Sequence, residues 1–126
     1  MNVPDDLRYS ADHEWTRLDG GTVRIGITDY AQDALGDVVY VDPPVLGSVV
    51  SAHDKVSEVE STKSVSDIYA PVSGTVIETN TDLADHPERI NEDPYGEGWL
   101  CVIELSEPAQ IESLLTADAY RALIAD

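Results

Sequence analysis

Lys63 is the residue whose chemistry this sequence leaves most open. It lies in VESTKSVSDIYAPVSG, residues 59–74, among small hydroxyl side chains. Without a desolvating pocket or a neighbouring cation, a lysine amine stays protonated and is a poor nucleophile. Glu58, Glu60 and Asp67 are close in sequence, and we expect them to hold the amine charged. This setting favours an ordinary exposed lysine or a site of covalent modification over a catalytic amine.

The other reactive side chains indicate no catalytic centre. Cys101 is the one cysteine, so no disulfide can form within the chain, and dithiol chemistry would need an added group. Its segment, WLCVIEL, is typical of a strand in which a free cysteine packs as a small apolar residue. The histidines show no metal-ligand spacing, and no P-loop, GxGxxG or GxSxG motif is present. The histidines are His13, His53 and His86.

Short strands and turns must position Lys63. Alternating apolar residues on either side of 19–21 predict a β-hairpin. A short helix is predicted over 28–36, with Thr28 as its N-cap and Gly36 just past its end. Lys63 itself is predicted at a hairpin tip, because KVSEVES precedes it and VSDIYAP follows. Further strands are predicted over 37–41, within 45–80 and over 99–105, and helical segments over 106–116 and 116–126.

An internal repeat surrounds the lysine. PVLGSVV, residues 44–50, and PVSGTVI, residues 71–77, match as P-V-x-G-[ST]-V-[VI] at an offset of 27 residues. Two similar β units in tandem predict two halves packed with approximate two-fold symmetry. Gly47 and Gly74 are expected at equivalent bends or bulges. The fold class predicted from the residues is a small β-barrel or sandwich with short flanking helices.

The composition limits the classes of molecule that this protein could bind. The 126 residues are enough for a single domain spanning 1–126, and 42% of them are hydrophobic. The formal net charge of -18 disfavours nucleic acid and anionic membranes as partners. The N-terminus has no secretory signal, and no apolar run has the length of a membrane-spanning helix. We therefore expect a cytoplasmic protein.

Several long motifs, in order along nearly the whole chain, resemble the H proteins of the glycine cleavage system. They are HEW at 13–15, GITDYAQDALGDVVYV at 26–41, VESTKSVSDIYAPVSG at 59–74, PYGEGWL at 94–100 and ESLLTADAY at 112–120. The resemblance implies a mainly β fold, the barrel-sandwich hybrid of lipoyl and biotinyl carriers, with two related four-stranded sheets and a helical C-terminus. It also implies that Lys63 carries lipoic acid in amide linkage.

The same resemblance implies a monomeric carrier rather than an enzyme. Its partners would be glycine decarboxylase, an aminomethyltransferase, dihydrolipoamide dehydrogenase, and a lipoyl ligase or lipoyl/octanoyl transferase. The carrier would take the aminomethyl intermediate from the first to the second and the dithiol to the third. The loaded arm would fold back into a surface cleft, with Glu14 and Asp67 as candidate contacts to its cationic end. Ile27 and Leu35 are expected to pack in the core, although both could line an apolar slot.

Other functions stay open at this point. An H-like protein that relays lipoyl groups to other enzymes is compatible with the same motifs, and so is an unmodified acidic interaction module. A lipoyl domain of a 2-oxo acid dehydrogenase would normally be one module of a longer chain. A biotin carrier would have methionines beside the lysine, where this chain has Thr62 and Ser64. An enzyme with Lys63 as a Schiff-base amine is the least favoured reading.

Overall fold

The protein folds mainly as antiparallel β structure, and the computed structural model describes residues 1–125. All strand pairs in this part of the chain are antiparallel. The strands are β1 (Arg8–Tyr9), β2 (Glu14–Asp19), β3 (Thr22–Ile27), β4 (Val38–Asp42), β5 (Val49–Val50), β6 (Lys55–Ser61), β7 (Val65–Tyr69), β8 (Gly74–Thr79) and β9 (Cys101–Leu105).

Two sheets face each other across the core. The larger has six strands in the order β1-β2-β3-β9-β8-β5, and the smaller has three in the order β4-β6-β7. This confirms the mainly β carrier-type fold, but the strands are not divided four and four as expected. The hairpin β2–β3 and the short β1 all lie on one side, because β3 pairs with β9 and so extends the sheet that already contains β8.

The two copies of the repeat pair with each other. Val49 lies opposite Thr75, and Val50 lies opposite Gly74. The amide of Val76 also donates to the carbonyl of Ser48 at 2.9 Å. A shift of 27 residues converts Ser48 into Thr75 and Val49 into Val76. The 48–76 and 49–75 contacts are therefore equivalent to each other, as a local two-fold axis between the copies requires.

The repeat glycines serve different physical purposes, so the expectation of equivalent bends was wrong. Gly47 has φ +84, in the left-handed region that favours glycine, with open space around it. Gly74 instead begins β8. A Cβ there would lie 2.1 Å from the backbone oxygen of Glu104 on β9. The close approach of two strands, rather than a bend, therefore requires glycine at position 74.

Short helices flank the sheets as the sequence predicts, with differences in type. Helix α1 (Asp29–Leu35) begins at Thr28, whose hydroxyl accepts from the Ala31 amide, and ends at Gly36 with φ +88. Residues 108–113 form a 3₁₀ helix rather than an α-helix, and Leu115 just beyond it pairs in a β-bridge with Tyr9. The remaining helices are a 3₁₀ helix at Thr81–Ala84, α2 (Arg89–Glu92) and α3 (Ala117–Ile124).

The apolar interior has two parts. The main core lies between the sheets and includes Val23, Val59, Val76 and Cys101, all fully buried. This confirms Cys101 as a packing residue. A second cluster packs helix α3 and the N-terminal segment over the outer side of the larger sheet, around Trp15. Within the described residues no helix is long and apolar enough to cross a membrane.

Replacing Gly74 with alanine tests the close approach of β8 and β9. The added Cβ would overlap the Glu104 carbonyl, and neither strand backbone can yield without breaking sheet pairing. We expect a loss of about 3 kcal/mol or more in the free energy of unfolding, measured by chemical denaturation. Gly21→Ala is the matched control: its Cβ meets nothing within 4 Å, so its stability should stay within about 0.5 kcal/mol of wild type. Equal effects of both changes would contradict this account.

Candidate functional site

Lys63 lies at the tip of the β6–β7 hairpin, as predicted. Ser61 closes the turn: its amide donates to the Ser64 carbonyl at 2.8 Å. Its hydroxyl oxygen accepts from the amides of Lys63 at 3.2 Å and Ser64 at 3.0 Å. The Thr62 amide donates to the Asp37 carbonyl at 3.0 Å and fastens the tip to the start of β4. The backbone of the lysine is held in place while its side chain is exposed.

Two of the carboxylates near Lys63 in sequence form ion pairs with the other lysine, Lys55. Lys55 Nζ lies 2.7 Å from Glu58 and 3.2 Å from Asp67. The expectation that these two acids hold the Lys63 amine is therefore wrong. Strand pairing places Glu58 directly opposite Asp67, and Lys55 reaches both from the far end of β6. Within residues 1–125 the Lys63 amine forms no ion pair.

The lysine side chain lies over the end of helix α1. A Cβ at Gly36 would come within 3.0 Å of Lys63 Cε, so a larger residue there would push the side chain aside. Gly36 is followed by Asp37, whose carbonyl holds the hairpin tip. The end of α1 thus guides the lysine at two neighbouring positions, through one close approach and one hydrogen bond.

A cleft of about 350 Å³ opens next to the hairpin tip, between α1 and β7. Part of its wall is apolar, where Ile27, Leu35 and Ile68 reach it from the main core. Ile27 and Leu35 therefore both pack in the core and line the slot. The lining residues are Asp12, His13, Ile27, Tyr30, Ala31, Ala34, Leu35, Ser64, Val65, Ser66 and Ile68.

Glu14 lies beside this cleft without lining it. Its side chain is 1% exposed, and burial raises its pKa from 4.5 to about 7. The Ser10 hydroxyl donates to the carboxyl at 2.6 Å and opposes the rise. Glu14 borders a second cavity of about 330 Å³ instead. Asp12 lines both cavities.

Asp67 is on the opposite face of its strand from the cleft. Ser66 and Ile68, its neighbours along β7, line the cleft, and successive side chains of a strand point to opposite faces. The Asp67 carboxylate faces Lys55 instead. The structure thus brings Glu14 near the cleft and leaves Asp67 outside it.

Sequence reasoning missed Asp12 and Tyr30, which shape the far end of the cleft with His13. The His13 and Tyr30 rings are 4.8 Å apart. Their positions in the sequence could have indicated both residues. Asp12 and His13 immediately precede Glu14, and Tyr30 lies in the first turn of α1.

These features fit a lipoyl group. An acyl chain and a dithiolane ring need an apolar wall, which Ile27, Leu35 and Ile68 supply. A cationic end group needs a nearby carboxylate, which Asp12 supplies. Lys63 is exposed, and its neighbour Ser64 lines the cleft. Such a lysine, on a hairpin between two symmetry-related β units, defines a carrier domain of the lipoyl type.

Comparison with known proteins specifies the carrier. Residues 7–126 match the model of the family described as Glycine cleavage H-protein. The chain is 52% identical over 124 residues to the glycine cleavage system H protein of Geobacillus kaustophilus. The match covers 98% of this chain and 98% of the relative. It is 54% identical over 130 residues to that of Mycobacterium avium, with 99% of this chain and 98% of the relative covered.

A crystal structure of a glycine cleavage system H protein from Mycobacterium marinum has the same fold, with a TM-score of 0.87. It is 46% identical and covers 95% of this chain and 97% of its own. The chain therefore belongs to the glycine cleavage H-protein family, the non-catalytic lipoyl carrier component of the glycine cleavage system.

Glu14→Gln tests the buried carboxyl. Because burial raises its pKa to about 7, the folded protein holds a proton that the unfolded chain releases above pH 4.5. Stability attributable to Glu14 is thus lost as pH rises from about 4.5 to 7. A neutral glutamine avoids that loss. We expect the variant to gain up to about 3 kcal/mol relative to wild type between pH 4 and 8, measured by denaturation. Glu104→Gln, on an exposed strand position, is the control and should show no such trend.

Proposed function

We propose that Lys63 is the site of lipoyl attachment and that the lipoyl arm docks in the cleft between α1 and β7. The observation that carries this proposal is an exposed lysine without an ion pair among the described residues, on a hairpin tip held by hydrogen bonds, directly before residues that line a cleft with a partly apolar wall. In a chain with 25 acidic residues, an amine left accessible to a modifying enzyme is a notable exception.

The protein's own cysteine cannot replace the attached group. Burial raises the pKa of the Cys101 thiol to about 12 and keeps it from solvent, so it is inert as a thiolate. A bound lipoyl group supplies a two-electron disulfide couple. The chain contributes attachment, an apolar resting place and charge at the far end.

Two acidic groups are placed to receive a cationic end of the arm. Asp12 lines the cleft, and Glu14 lines the second cavity, to which Asp12 also contributes. We propose Asp12 as the carboxylate met first and Glu14 as the second. Asp67, also predicted as a contact, has nothing in the cleft geometry to support it, because its carboxylate faces away toward Lys55.

The partners follow from the family. We propose that the lipoyl arm visits glycine decarboxylase, the aminomethyltransferase and dihydrolipoamide dehydrogenase, after attachment by a lipoyl ligase or a lipoyl/octanoyl transferase. The net charge of -18 favours partner surfaces with basic groups. A cytoplasmic location, a monomeric state and a single domain over 1–126 stay predictions.

Lys63→Arg tests the attachment site. Arginine keeps the charge but cannot form the amide, so protein from cells supplied with lipoate and a lipoyl ligase should lose the lipoyl mass completely. Lys55→Arg is the matched control, because it replaces the other lysine of the same hairpin, and it should retain the modification. The measurement is intact mass followed by peptide mapping. Wild-type protein without any lipoyl mass under these conditions would refute the proposal.

Exchange of labelled bicarbonate with glycine, in the presence of the decarboxylase, distinguishes a glycine-cleavage carrier from a pure lipoyl relay. The carrier should support exchange when lipoylated and not as Lys63→Arg. A relay would carry the lipoyl group yet support no exchange.

Ala34→Phe tests docking of the arm. Ala34 lines the cleft, and a phenyl ring there would occupy the space proposed for the acyl chain. In the wild type, lipoylation should shift the methyl NMR signals of Ile27 and Leu35, and the variant should lose these shifts. Reduction of the lipoyl disulfide by a water-soluble phosphine should become several-fold faster. Ala122→Phe, at an exposed position on α3, is the control. Unchanged methyl shifts in Ala34→Phe would place the arm elsewhere.

A further inference from the structure

His13, in the cleft wall, has a backbone held by its surroundings. Its φ of +71 lies in the left-handed region that non-glycine residues seldom adopt. Its amide donates to the Ser10 carbonyl at 3.2 Å, and its carbonyl accepts from the Thr28 amide at 3.0 Å. Such a conformation persists where the neighbouring structure imposes it, and it fixes the direction in which the imidazole points.

The imidazole ends a chain of three hydrogen-bonded groups. His13 Nδ1 lies 2.8 Å from the hydroxyl of Tyr120 on helix α3. That hydroxyl lies 2.7 Å from the hydroxyl of Thr28, the N-cap of α1. The Thr28 oxygen in turn accepts from the Ala31 amide at 3.2 Å. Tyr120 and Thr28 are fully buried, so water does not take part in this chain.

Only one assignment of the protons satisfies all of these hydrogen bonds. The Thr28 oxygen already accepts from an amide, and within residues 1–125 its own O–H has only the Tyr120 oxygen as acceptor. A buried hydroxyl proton without an acceptor is costly, so Thr28 donates to Tyr120. The Tyr120 O–H must then donate to His13 Nδ1. The lone pair of Nδ1 is occupied, and the ring proton is on Nε2.

The same series of hydrogen bonds opposes protonation of the His13 ring. A proton on Nδ1 would have to be donated to Tyr120, which would turn its O–H toward Thr28 and leave the Thr28 proton without an acceptor. Burial lowers the pKa of His13 in the same direction, and Asp12 opposes it. The other titratable groups packed against the ring are Tyr30 on α1 and Tyr120 on α3. Glu14 follows His13 in sequence, but it lines the second cavity.

We propose that Thr28 and Tyr120 hold His13 as a neutral imidazole that presents Nε2–H to the cleft, so that the wall beside Asp12 carries no positive charge and no basic nitrogen. This inference rests on the proposed docking of the arm. A cationic amine in the cleft would be repelled by an imidazolium and could lose its proton to a free imidazole nitrogen. Here it meets neither, and Asp12 remains its charged neighbour. Thr28 and Tyr120 are positioning residues that act through His13.

Nitrogen-15 NMR of histidine-labelled protein tests the arrangement directly. In the wild type, His13 should show the Nε2–H tautomer at neutral pH, with a titration midpoint below that of free histidine. Tyr120→Phe removes the donor to Nδ1 and should move the midpoint to higher pH. His53 and His86 in the same spectra are internal references and should not move. A purely structural role for Tyr120 predicts no such rise, because the phenylalanine ring fills the same space.

A pair of variants at Thr28 keeps the test decisive if Tyr120→Phe does not fold. Thr28→Ser keeps both the hydroxyl and the helix cap, so the midpoint should stay at the wild-type value. Thr28→Val removes the other neighbour of the Tyr120 hydroxyl, so its O–H keeps Nδ1 as acceptor, and the Nε2–H tautomer should persist with a midpoint no higher than in wild type. The inference is overturned by an Nδ1–H tautomer in the wild type or in either Thr28 variant.

Lipoylated protein separates this inference from the proposed function. The His13 Nε2 signal should shift on lipoylation in wild type and remain unshifted on lipoylation of Ala34→Phe. Lipoyl mass on Lys63 with an unmoved Nε2 signal would overturn the role of His13 in the cleft and leave the carrier function intact. Absence of lipoyl mass would refute the attachment, whereas the tautomer and the midpoints would still be measured on the unmodified chain.

Discussion

The antiparallel pairing of the two repeat copies is the constraint on which the rest of the fold depends. It joins residues 48–50 to residues 74–76, and the chain between them must leave and return as the β6–β7 hairpin. The absence of a side chain at Gly74 lets β8 approach β9, and through β9 the larger sheet reaches β3 and β2. The hairpin tip therefore projects at a fixed distance from the cleft that begins at the end of β3.

Charge distribution separates the two lysines. The chain carries a large excess of negative charge, yet the carboxylates at the base of the hairpin converge on Lys55. Exposed ion pairs of this kind add little to stability, so their importance here is that they occupy the two acids. Lys63, at the other end of the same hairpin, keeps an amine that another protein can reach. A single hairpin thus contains one lysine that is paired and one that is available.

The cleft and the cavity beside it contain groups whose protonation the fold has altered. Glu14 is a carboxyl with a pKa raised by burial, and His13 is an imidazole with a pKa lowered by burial. Both changes favour the neutral forms. Helix α3 has a part in this, because Tyr120 reaches from the C-terminal region into the hydrogen bonds around α1. The far end of the cleft therefore depends on residues more than 90 positions apart in the chain.

The sequence by itself determined the mainly β class, the Thr28 cap and Gly36 end of α1, the hairpin tip at Lys63 and the repeat, because these depend on local periodicity, turn chemistry and long motifs. The tertiary structure decided what depends on strand register and distant partners. The register of the β6–β7 pair places Asp67 opposite Glu58, away from the cleft, where its carboxylate forms an ion pair with Lys55. The bridge between Tyr9 and Leu115 ended the 3₁₀ helix, and strand contact rather than a bend required Gly74. The protonation of His13 follows from Thr28 and Tyr120, which no local pattern connects. A side chain's identity is local, but its burial, its hydrogen-bond partners and its protonation depend on what the fold packs against it.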